Sequence, residues 1–542
     1  MSAVASVVLH DVTFCWPDGT PALADLSAAF GPGRTGLVGR NGAGKSTLLR
    51  LIRGELTPSS GRVTTSGVVV HLPQHLARAP GDTVADLLGV RNTVDAIRAV
   101  EAGRTDEDLF ERIGDDWDIE ERSLATLAAN RLELSSLDRP TATLSGGETT
   151  LAAIVGVMVR GADVALLDEP TNNLDADGRD RVHALVRGWR GALIVASHDE
   201  ALLELMDDTA ELRSNKLAVF PGGFRAYRAQ VAAEQNTALR ALRTAEQTLK
   251  AEKRQRIQAE ERIAHSERKG RTDAVNRRFV RAVVNNRRNS AQKAQAARRG
   301  LHDDRLDAAR KAVDDAGSRV RDDDHISIQL PDPGVPAGRR IARLVGSDER
   351  EYIVQGPERI ALTGPNGAGK TTLIRQLLSG APAPDEPGAR EERRRARASA
   401  HADIEHIGYL SQHLEGLDTT ASALAHVQRV AAGIPTSDLR NQLARLLLRG
   451  GAADRPVATL SGGERFRAAL ARVLLADPPP QLLVLDEPTN NLDSPSVTQL
   501  VESLAAYRGA LIVISHDRGF VERLEPDAEL RLDHDGTLTR VG

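Results

Sequence analysis

One cysteine, Cys15, stands among 542 residues. Internal disulfides and cysteine-built zinc or iron–sulfur centres are thereby excluded. No apolar run approaches the roughly 18 residues that a membrane-spanning helix needs. The opening MSAVASVVLHD has no basic start and no long apolar segment, so no secretory signal is expected there. Lysine is scarce as well, with eight among 71 basic residues, a bias that reflects genome composition more readily than physical need. A cytoplasmic protein without a membrane partner is expected. The formal net charge of -4 excludes a generic polyanion binder, but the total hides an asymmetry. Residues 253–299 hold fifteen basic and four acidic side chains, which leaves about -15 for the remainder. Such segregation of sign points to a nucleic-acid or membrane surface.

What the chain does have is a duplication. GLVGRNGAGKSTLLRLI from Gly36 returns as ALTGPNGAGKTTLIRQL from Ala361. TLSGGE at Thr143 returns at Thr459, ALLDEPTNNLD at Ala165 as LVLDEPTNNLD at Leu483, and ALIVASHD at Ala192 as ALIVISHD at Ala510. Four blocks in one order at similar spacing imply a duplicated nucleotide-binding domain. In each half, short Val/Ile/Leu runs alternate with helical patterns. Continuous apolar strands between helices argue for a parallel sheet covered on both faces, so each half is expected to be α/β.

Between the halves, Gly and Pro nearly vanish and Ala, Arg, Glu and Gln dominate. Leu306, Ala309, Val313, Ala316 and Val320 step by three and four, and Leu239, Leu242 and Leu249 hint at the same spacing. The pattern predicts two long antiparallel helices with a tip near 270–289, Gly270 and the VVNN run being candidate breaks. An arm of roughly 40 residues would reach about 60 Å. The expected division is 1–223, a linker over 224–324, and 325–542, with 381–403 (APAPDEPGAREERRRARASAHAD) a disordered surface insertion.

The repeated blocks carry phosphate chemistry. Gly39-x4-Gly44-Lys45-Ser46 and Gly364-x4-Gly369-Lys370-Thr371 fit the phosphate-loop pattern. Gly39, Gly42 and Gly44, like Gly364, Gly367 and Gly369, let backbone N–H groups converge on phosphate oxygens. The helix start that follows adds favourable partial charge. Asn41 and Thr47, like Asn366 and Thr372, complete the two ATP-binding loops. Lys45 and Lys370 suit the β- and γ-phosphates, and Ser46 and Thr371 suit Mg2+. Asp168 and Asp486 end apolar strands, as further Mg2+ ligands would. Glu169 and Glu487 follow at once and suit a general base for an attacking water. His198 and His516 follow a second strand, where contact with a γ-phosphate is expected.

These residues resemble the ATP-binding-cassette superfamily over nearly the whole chain outside the linker and the 381–403 segment. The LSGGE runs, Leu144–Glu148 and Leu460–Glu464, look like its signature motif. The resemblance implies that each signature caps the nucleotide of the other half. Ser461, Gly462 and Gly463 would then close on ATP at Lys45, and Ser145, Gly146 and Gly147 on ATP at Lys370. Gln74 and Gln412 look like Q-loop glutamines, and Asp175 and Asp493 sit in D-loop-like NLD runs. Trp16 matches the aromatic that stacks on adenine. At the same offset before the second loop stands Ile341, so stacking is not expected there.

Tandem cassettes, a long basic helical linker and EPTNNLD blocks together resemble the ABC-F subfamily. That resemblance implies a monomeric ATPase whose cassettes pair within one chain. It also implies binding at the ribosomal tRNA exit site, with the linker directed at the peptidyl-transferase centre, 23S rRNA and P-site tRNA. Arg277, Arg278, Phe279, Arg281, Arg287 and Arg288 crowd the supposed tip, where arginine suits phosphate and base contact. Ribosome protection against antibiotics is the favoured reading. A housekeeping translation factor is the alternative, and a transporter ATPase subunit a third. Gln74 to Ser145 spans 71 positions against 49 from Gln412 to Ser461, so an additional ribosome-contacting arm is expected to be short or absent.

Overall fold

The computed structural model describes residues 7–275, 300–320, 330–379 and 398–541, apart from 75, 77, 78, 173, 214, 302, 413, 415, 490 and 491. Side chains of 260, 262–264, 266–275 and 494 are not described. The chain divides into two compact units, Met1–Phe224 with Asp324–Gly542, and Arg225–Asp323.

In the first unit each half builds the same pair of sheets. The first half contributes β1 (Val7–Cys15), β2 (Pro21–Phe30), β3 (Gly33–Val38), β4 (Ser60–Thr65), β5 (Val69–Leu72), β6 (Val164–Asp168), β7 (Ala192–Ala196), β8 (Asp208–Arg213) and β9 (Lys216–Pro221). The second contributes β10 (Arg340–Val345), β11 (Glu351–Gln355), β12 (Arg359–Thr363), β13 (Ser399–Ala402), β14 (Ile407–Leu410), β15 (Leu482–Asp486), β16 (Ala510–Ile514), β17 (Ala528–Leu532) and β18 (Leu538–Val541). The six-stranded sheets run β5-β6-β7-β3-β8-β9 and β14-β15-β16-β12-β17-β18. All pairings are parallel except that of the last strand in each. Beside them lie antiparallel sheets β2-β1-β4 and β11-β10-β13.

The reason for the unbroken apolar strands is visible in β15 and β16. Leu482, Val484, Ala510, Ile512 and Ile514 face a core that holds Leu373, Ile374 and Leu377 of helix Lys370–Ser379. Their neighbours Leu483, Leu485, Leu511 and Val513 face another core, with Phe466 and Leu470 of helix Gly462–Leu474 and Leu500 and Leu504 of helix Ser494–Ala505. Alternate residues point to opposite faces, and both faces are covered, so alternation of polarity is lost.

Strand order then positions the chemistry. In the first half β5, β6, β7 and β3 are adjacent, and Gln74, Asp168, His198 and Gly39 all stand at or beyond their carboxyl ends. Ligands of open parallel sheets bind at this edge. Asp168 pairs with Ala196, and Leu37 pairs with Ala196 from the other side. The second half repeats this, with Asp486 and Leu362 both opposite Ile514.

The sequence expectations need three corrections here. The predicted insertion ends too late, because Ser399–Ala402 is β13, paired with β10, and Ala398 is buried. Short Ser/Ala/His runs are weak strand signals, and only pairing settles them. Gly270 is no break: a single helix of 52 residues, Phe224–Val275, passes through it, about 78 Å at 1.5 Å per residue. One glycine costs a helix only about 1 kcal/mol relative to alanine. Val320 does not continue the apolar stripe in a helix, since the return helix ends at 317 and Val320 follows a turn. Within this second unit the two helices are antiparallel: Leu242 lies near Gly317, and Arg256 Nη1 is 3.4 Å from Asp303 Oδ1. Leu306, Ala309 and Ala316 are buried. Arg277, Arg278, Phe279, Arg281, Arg287 and Arg288 lie outside the described residues, as do 380–397.

The two-faced burial of β15 has a measurable consequence. Leu483→Ala should lower the stability of the second cassette by about 2–5 kcal/mol, read from its denaturant-induced unfolding transition. A loss below about 1 kcal/mol would contradict the packing described.

Candidate functional site

Each phosphate loop follows a central strand and runs straight into a helix, Lys45–Arg53 after β3 and Lys370–Ser379 after β12. Gly39 and Gly364 sit at φ 158° and 140°. A Cβ there would run into the carbonyls of Leu212 and Leu532, so the loop tolerates only glycine at this close approach. Lys45 Nζ donates to the Gly39 carbonyl at 2.8 Å and meets His198 Nε2 at 3.0 Å. Lys370 Nζ repeats both contacts, with Gly364 at 2.7 Å and His516 Nε2 at 3.2 Å. Burial pulls both ammonium groups below their usual range, opposed by the nearby carboxylates. Burial and the adjacent lysine hold His198 and His516 well below the usual imidazole range, so both rings are neutral.

Glu169 and Glu487 have left-handed backbones, φ 49° and 47°. A non-glycine residue in that region is uncommon and costs of order 1 kcal/mol. Strand ends hold them there, because Glu169 N donates to Ala196 O at 2.8 Å and Glu487 N to Ile514 O at 2.9 Å. The twist turns each side chain inward. Glu169 Oε2 accepts from His198 N at 3.3 Å, and Glu487 Oε2 from His516 N at 3.4 Å. The other oxygen, Oε1, is buried in each residue with no hydrogen-bond donor among the described residues. It lies 3.4 Å and 3.3 Å from the respective histidine Nε2. Burial raises Glu169 to about 8 and Glu487 to about 7. A desolvated carboxylate with one free oxygen can take a proton from water near neutral pH.

Beside each glutamate stands the strand-end aspartate, buried in both halves. Thr371 Oγ1 donates to Asp486 Oδ2 at 3.1 Å. Ser46 and Asp168 hold the matching places in the first half. Among the described residues no group of three His, Cys, Asp or Glu could hold a metal by itself. One hydroxyl and one carboxylate fit Mg2+ instead, which keeps waters and takes phosphate oxygens for the rest of its shell.

The halves meet through a reciprocal contact. Asp493 Oδ2 accepts from the amide of Asn41 at 2.9 Å, and Asp175 Oδ2 accepts from the amide of Asn366 at 3.1 Å. Each aspartate also caps its own helix, Asp175 Oδ1 from Gly178 N at 2.9 Å and Asp493 Oδ1 from Ser496 N at 3.0 Å. A D-loop thus touches the opposite phosphate loop in both directions. Sequence reading marked both aspartates but not this bond, because nothing in local spacing reveals a partner in the other half.

A cavity of about 1200 Å³ joins the two halves. Trp16, Lys45, Gln74, Asp168, Glu169 and His198 line it from the first half, and Gln412, Gly462, Arg465, Phe466 and Glu487 from the second. It brings the second signature helix over the first phosphate loop through Gly462; Arg465 and Phe466, which sequence reading did not single out, come with it. Ser461 and Ser145 cap the signature helices by reciprocal bonds with Glu464 and Glu148. Glu in LSGGE is therefore a capping residue. Gly146 and Gly462 face open space on the exposed first turns.

Trp16 is 37% exposed and packs edge-on against Phe14 at 5.1 Å. Its counterpart is not Ile341, which lies inside β10 and is wholly buried. Trp16 directly follows β1 and Gly346 directly follows β10, so Gly346 is the equivalent. The offset misleads because the first hairpin is longer, with strands of 9 and 10 residues against 6 and 5. No aromatic stands at that place in the second half, as expected.

A carboxylate-to-amide bond is worth about 1.5–3 kcal/mol. Asp493→Ala and Asp175→Ala should each lower steady-state ATP turnover by about tenfold or more. Turnover within twofold of the parent in both variants would show that the contact is not used.

The chain is similar to known proteins along most of its length. The family model described as ABC transporter matches residues 23–172 and 351–490. The tylosin-resistance ATP-binding protein TlrC of Streptomyces fradiae is 30% identical over 95% of this chain and 95% of its own. The probable ATP-binding protein YheS of Escherichia coli K12 is 30% identical over 95% of this chain and 76% of its own. Mouse ATP-binding cassette sub-family F member 3 is 29% identical over 96% and 70%. Among solved structures, an archaeal ribosome recycling factor, aABCE1, superposes with a TM-score of 0.56 at 19% identity, over 98% of this chain and 89% of that one, which speaks to the fold alone. Duplicated cassettes, both signature helices and similarity along the full length give one conclusion: the chain is an ATPase of the ATP-binding-cassette family and belongs to its F group.

Proposed function

We propose that this protein uses ATP to clamp its cassettes together on the ribosome, at the tRNA exit site, and to present its linker towards the peptidyl-transferase centre, where it protects the ribosome from an antibiotic. The observation that carries this reading is the match to a resistance protein, TlrC, along 95% of both chains. The linker supports it: a net charge of +11 over 253–299 suits folded RNA, whose binding is dominated by phosphate neutralisation. P-site tRNA and 23S rRNA are its proposed contacts, through Arg277, Arg278, Phe279, Arg281, Arg287 and Arg288. No described helix is long and apolar enough to cross a membrane, in keeping with a cytoplasmic site of action. Similarity to YheS and to the mouse sub-family F member supports a housekeeping translation role as the second reading.

The chain's own groups divide the chemistry as follows. Phosphate-loop amides, with Lys45 or Lys370, hold the triphosphate. Trp16 stacks on adenine in the first site. The opposite signature, Ser461–Gly463 or Ser145–Gly147, closes over the γ-phosphate by the helix-terminus physics of anion binding. Glu169 or Glu487 takes the proton of the attacking water through its free Oε1, while Gln74 or Gln412 and the neutral His198 or His516 orient water and phosphate. The γ-phosphoryl group passes to water and ADP leaves. Ser46 with Asp168, and Thr371 with Asp486, would hold Mg2+, which supplies charge neutralisation at the phosphates when bound. ATP stabilises the closed form because it binds that form preferentially, and hydrolysis releases it.

The double variant Glu169→Gln/Glu487→Gln should lose at least about 100-fold in ATP turnover and co-sediment with 70S ribosomes in ATP. Unchanged turnover contradicts the assigned base. Replacing the five tip arginines by glutamine should abolish that co-sedimentation at moderate salt while leaving turnover in place; retention contradicts the RNA-binding role. Expression in a susceptible host should raise resistance to a macrolide, lincosamide, streptogramin or pleuromutilin. No change with any of the four favours the housekeeping role.

A further inference from the structure

The two nucleotide sites differ at two places far apart in sequence. The first is where the base would lie. Trp16 lines the shared cavity and keeps part of its ring open to it. The equivalent place in the second half, Gly346, is closed to any side chain. A Cβ there would stand 2.9 Å from Leu538 N and 3.1 Å from Leu538 Cβ. Ser347 N donates to Gly536 O at 2.8 Å, which draws the turn before β18 against this position. Tyr352, the aromatic of the same hairpin, packs against the core and donates its hydroxyl to Glu358 at 2.7 Å. The second difference lies on the opposing signature helix. Arg465 lines the cavity over the first phosphate loop, three residues past Gly462, which also lines it. Residues three apart share a helix face. The Arg465 side chain is exposed, and its guanidinium makes no hydrogen bond or ion pair among the described residues. The matching residue of the first signature is Thr149, fully buried, whose hydroxyl donates to Ser145 O at 2.9 Å. Helix Gly146–Val159 carries no basic residue.

We propose that Arg465 is a nucleotide-binding residue supplied by the second cassette to the first cassette's site, and that with Trp16 it makes that site the tighter of the two. This rests on the assignment of both phosphate loops above. A guanidinium keeps its charge at an interface and offers donors in a fixed fork that matches phosphate oxygens. From one turn along the signature helix, Arg465 meets the phosphates that Lys45 holds from below. Trp16 holds the other end of the nucleotide by stacking on its base. The second site has neither: Gly346 leaves no room for a platform, and Thr149 is turned back onto its own helix. The first site therefore keeps its nucleotide while the second exchanges, and closure follows the loading of the second site.

The test reads each site alone in the full chain, with the β,γ-imido analogue of ATP and Mg2+ in equilibrium dialysis. Lys370→Ala leaves the first site and Lys45→Ala leaves the second. The first-site Kd should be at least about tenfold lower than the second-site Kd. In the Lys370→Ala chain, Trp16→Ala and Arg465→Thr should each raise Kd about fivefold or more. Trp16→Phe and Arg465→Lys should recover part of those losses. In the Lys45→Ala chain, the same substitutions should leave Kd within about twofold. Equal Kd values for the two sites overturn the proposal. So does a first-site Kd unmoved by Arg465→Thr, or an equal loss at both sites, which would mark Arg465 as structural. Binding in neither chain would instead contradict the phosphate-loop assignment, and the proposal with it.

Discussion

Each phosphate loop is held by a carboxylate from the other half of the chain. Asp493 reaches the Asn41 amide and Asp175 reaches the Asn366 amide. A backbone amide aimed at an anion is a directional donor, and the aspartate fixes it while capping a helix of its own cassette. Neither site is therefore complete within one cassette. The signature helix, the D-loop and the cavity lined from both halves follow from the same requirement. In the proposed mechanism, nucleotide acts through how the halves meet.

Local strain serves the same end. The two glutamates occupy left-handed backbone positions that only the flanking strand pairs make tolerable. That conformation turns the carboxylate inward against a neutral histidine, leaving one buried oxygen without a donor among the described residues. Burial then raises both groups to near neutrality. The parallel sheet supplies the rigidity: β6 and β7, like β15 and β16, are buried along their whole length.

Much of this was legible in the sequence, for physical reasons. Phosphate loops announce themselves because Gly39 and Gly364 need φ values that side chains resist, and because Lys45 and Lys370 must follow at fixed distance. Doubly covered strands announce themselves as unbroken apolar runs. What stayed hidden depends on partners distant in sequence. The Asn amide that each D-loop aspartate binds and the arrival of Arg465 and Phe466 in the cavity are tertiary facts. Ile341 was misplaced because chain offset ignores a shortened hairpin, and Ser399–Ala402 was missed because pairing with β10 outweighs its weak strand propensity. Gly270 misled in the opposite sense: a single glycine is a small cost inside a helix of 52 residues.

The linker is the other half of the proposed mechanism. Its charge stands apart from the acidic remainder, and its helices are matched antiparallel through Leu242 with Gly317 and Arg256 with Asp303. A charged helical pair can transmit a change at its base only if the cassettes adopt distinct, nucleotide-dependent arrangements. Spin labels at Asp18→Cys and Arg449→Cys, both exposed and on opposite cassettes, with Cys15→Ser, measure that arrangement. In a chain carrying Glu169→Gln and Glu487→Gln, ATP should give one narrow, short distance distribution and ADP a longer, broader one. Identical distributions with the two nucleotides would contradict nucleotide-driven closure.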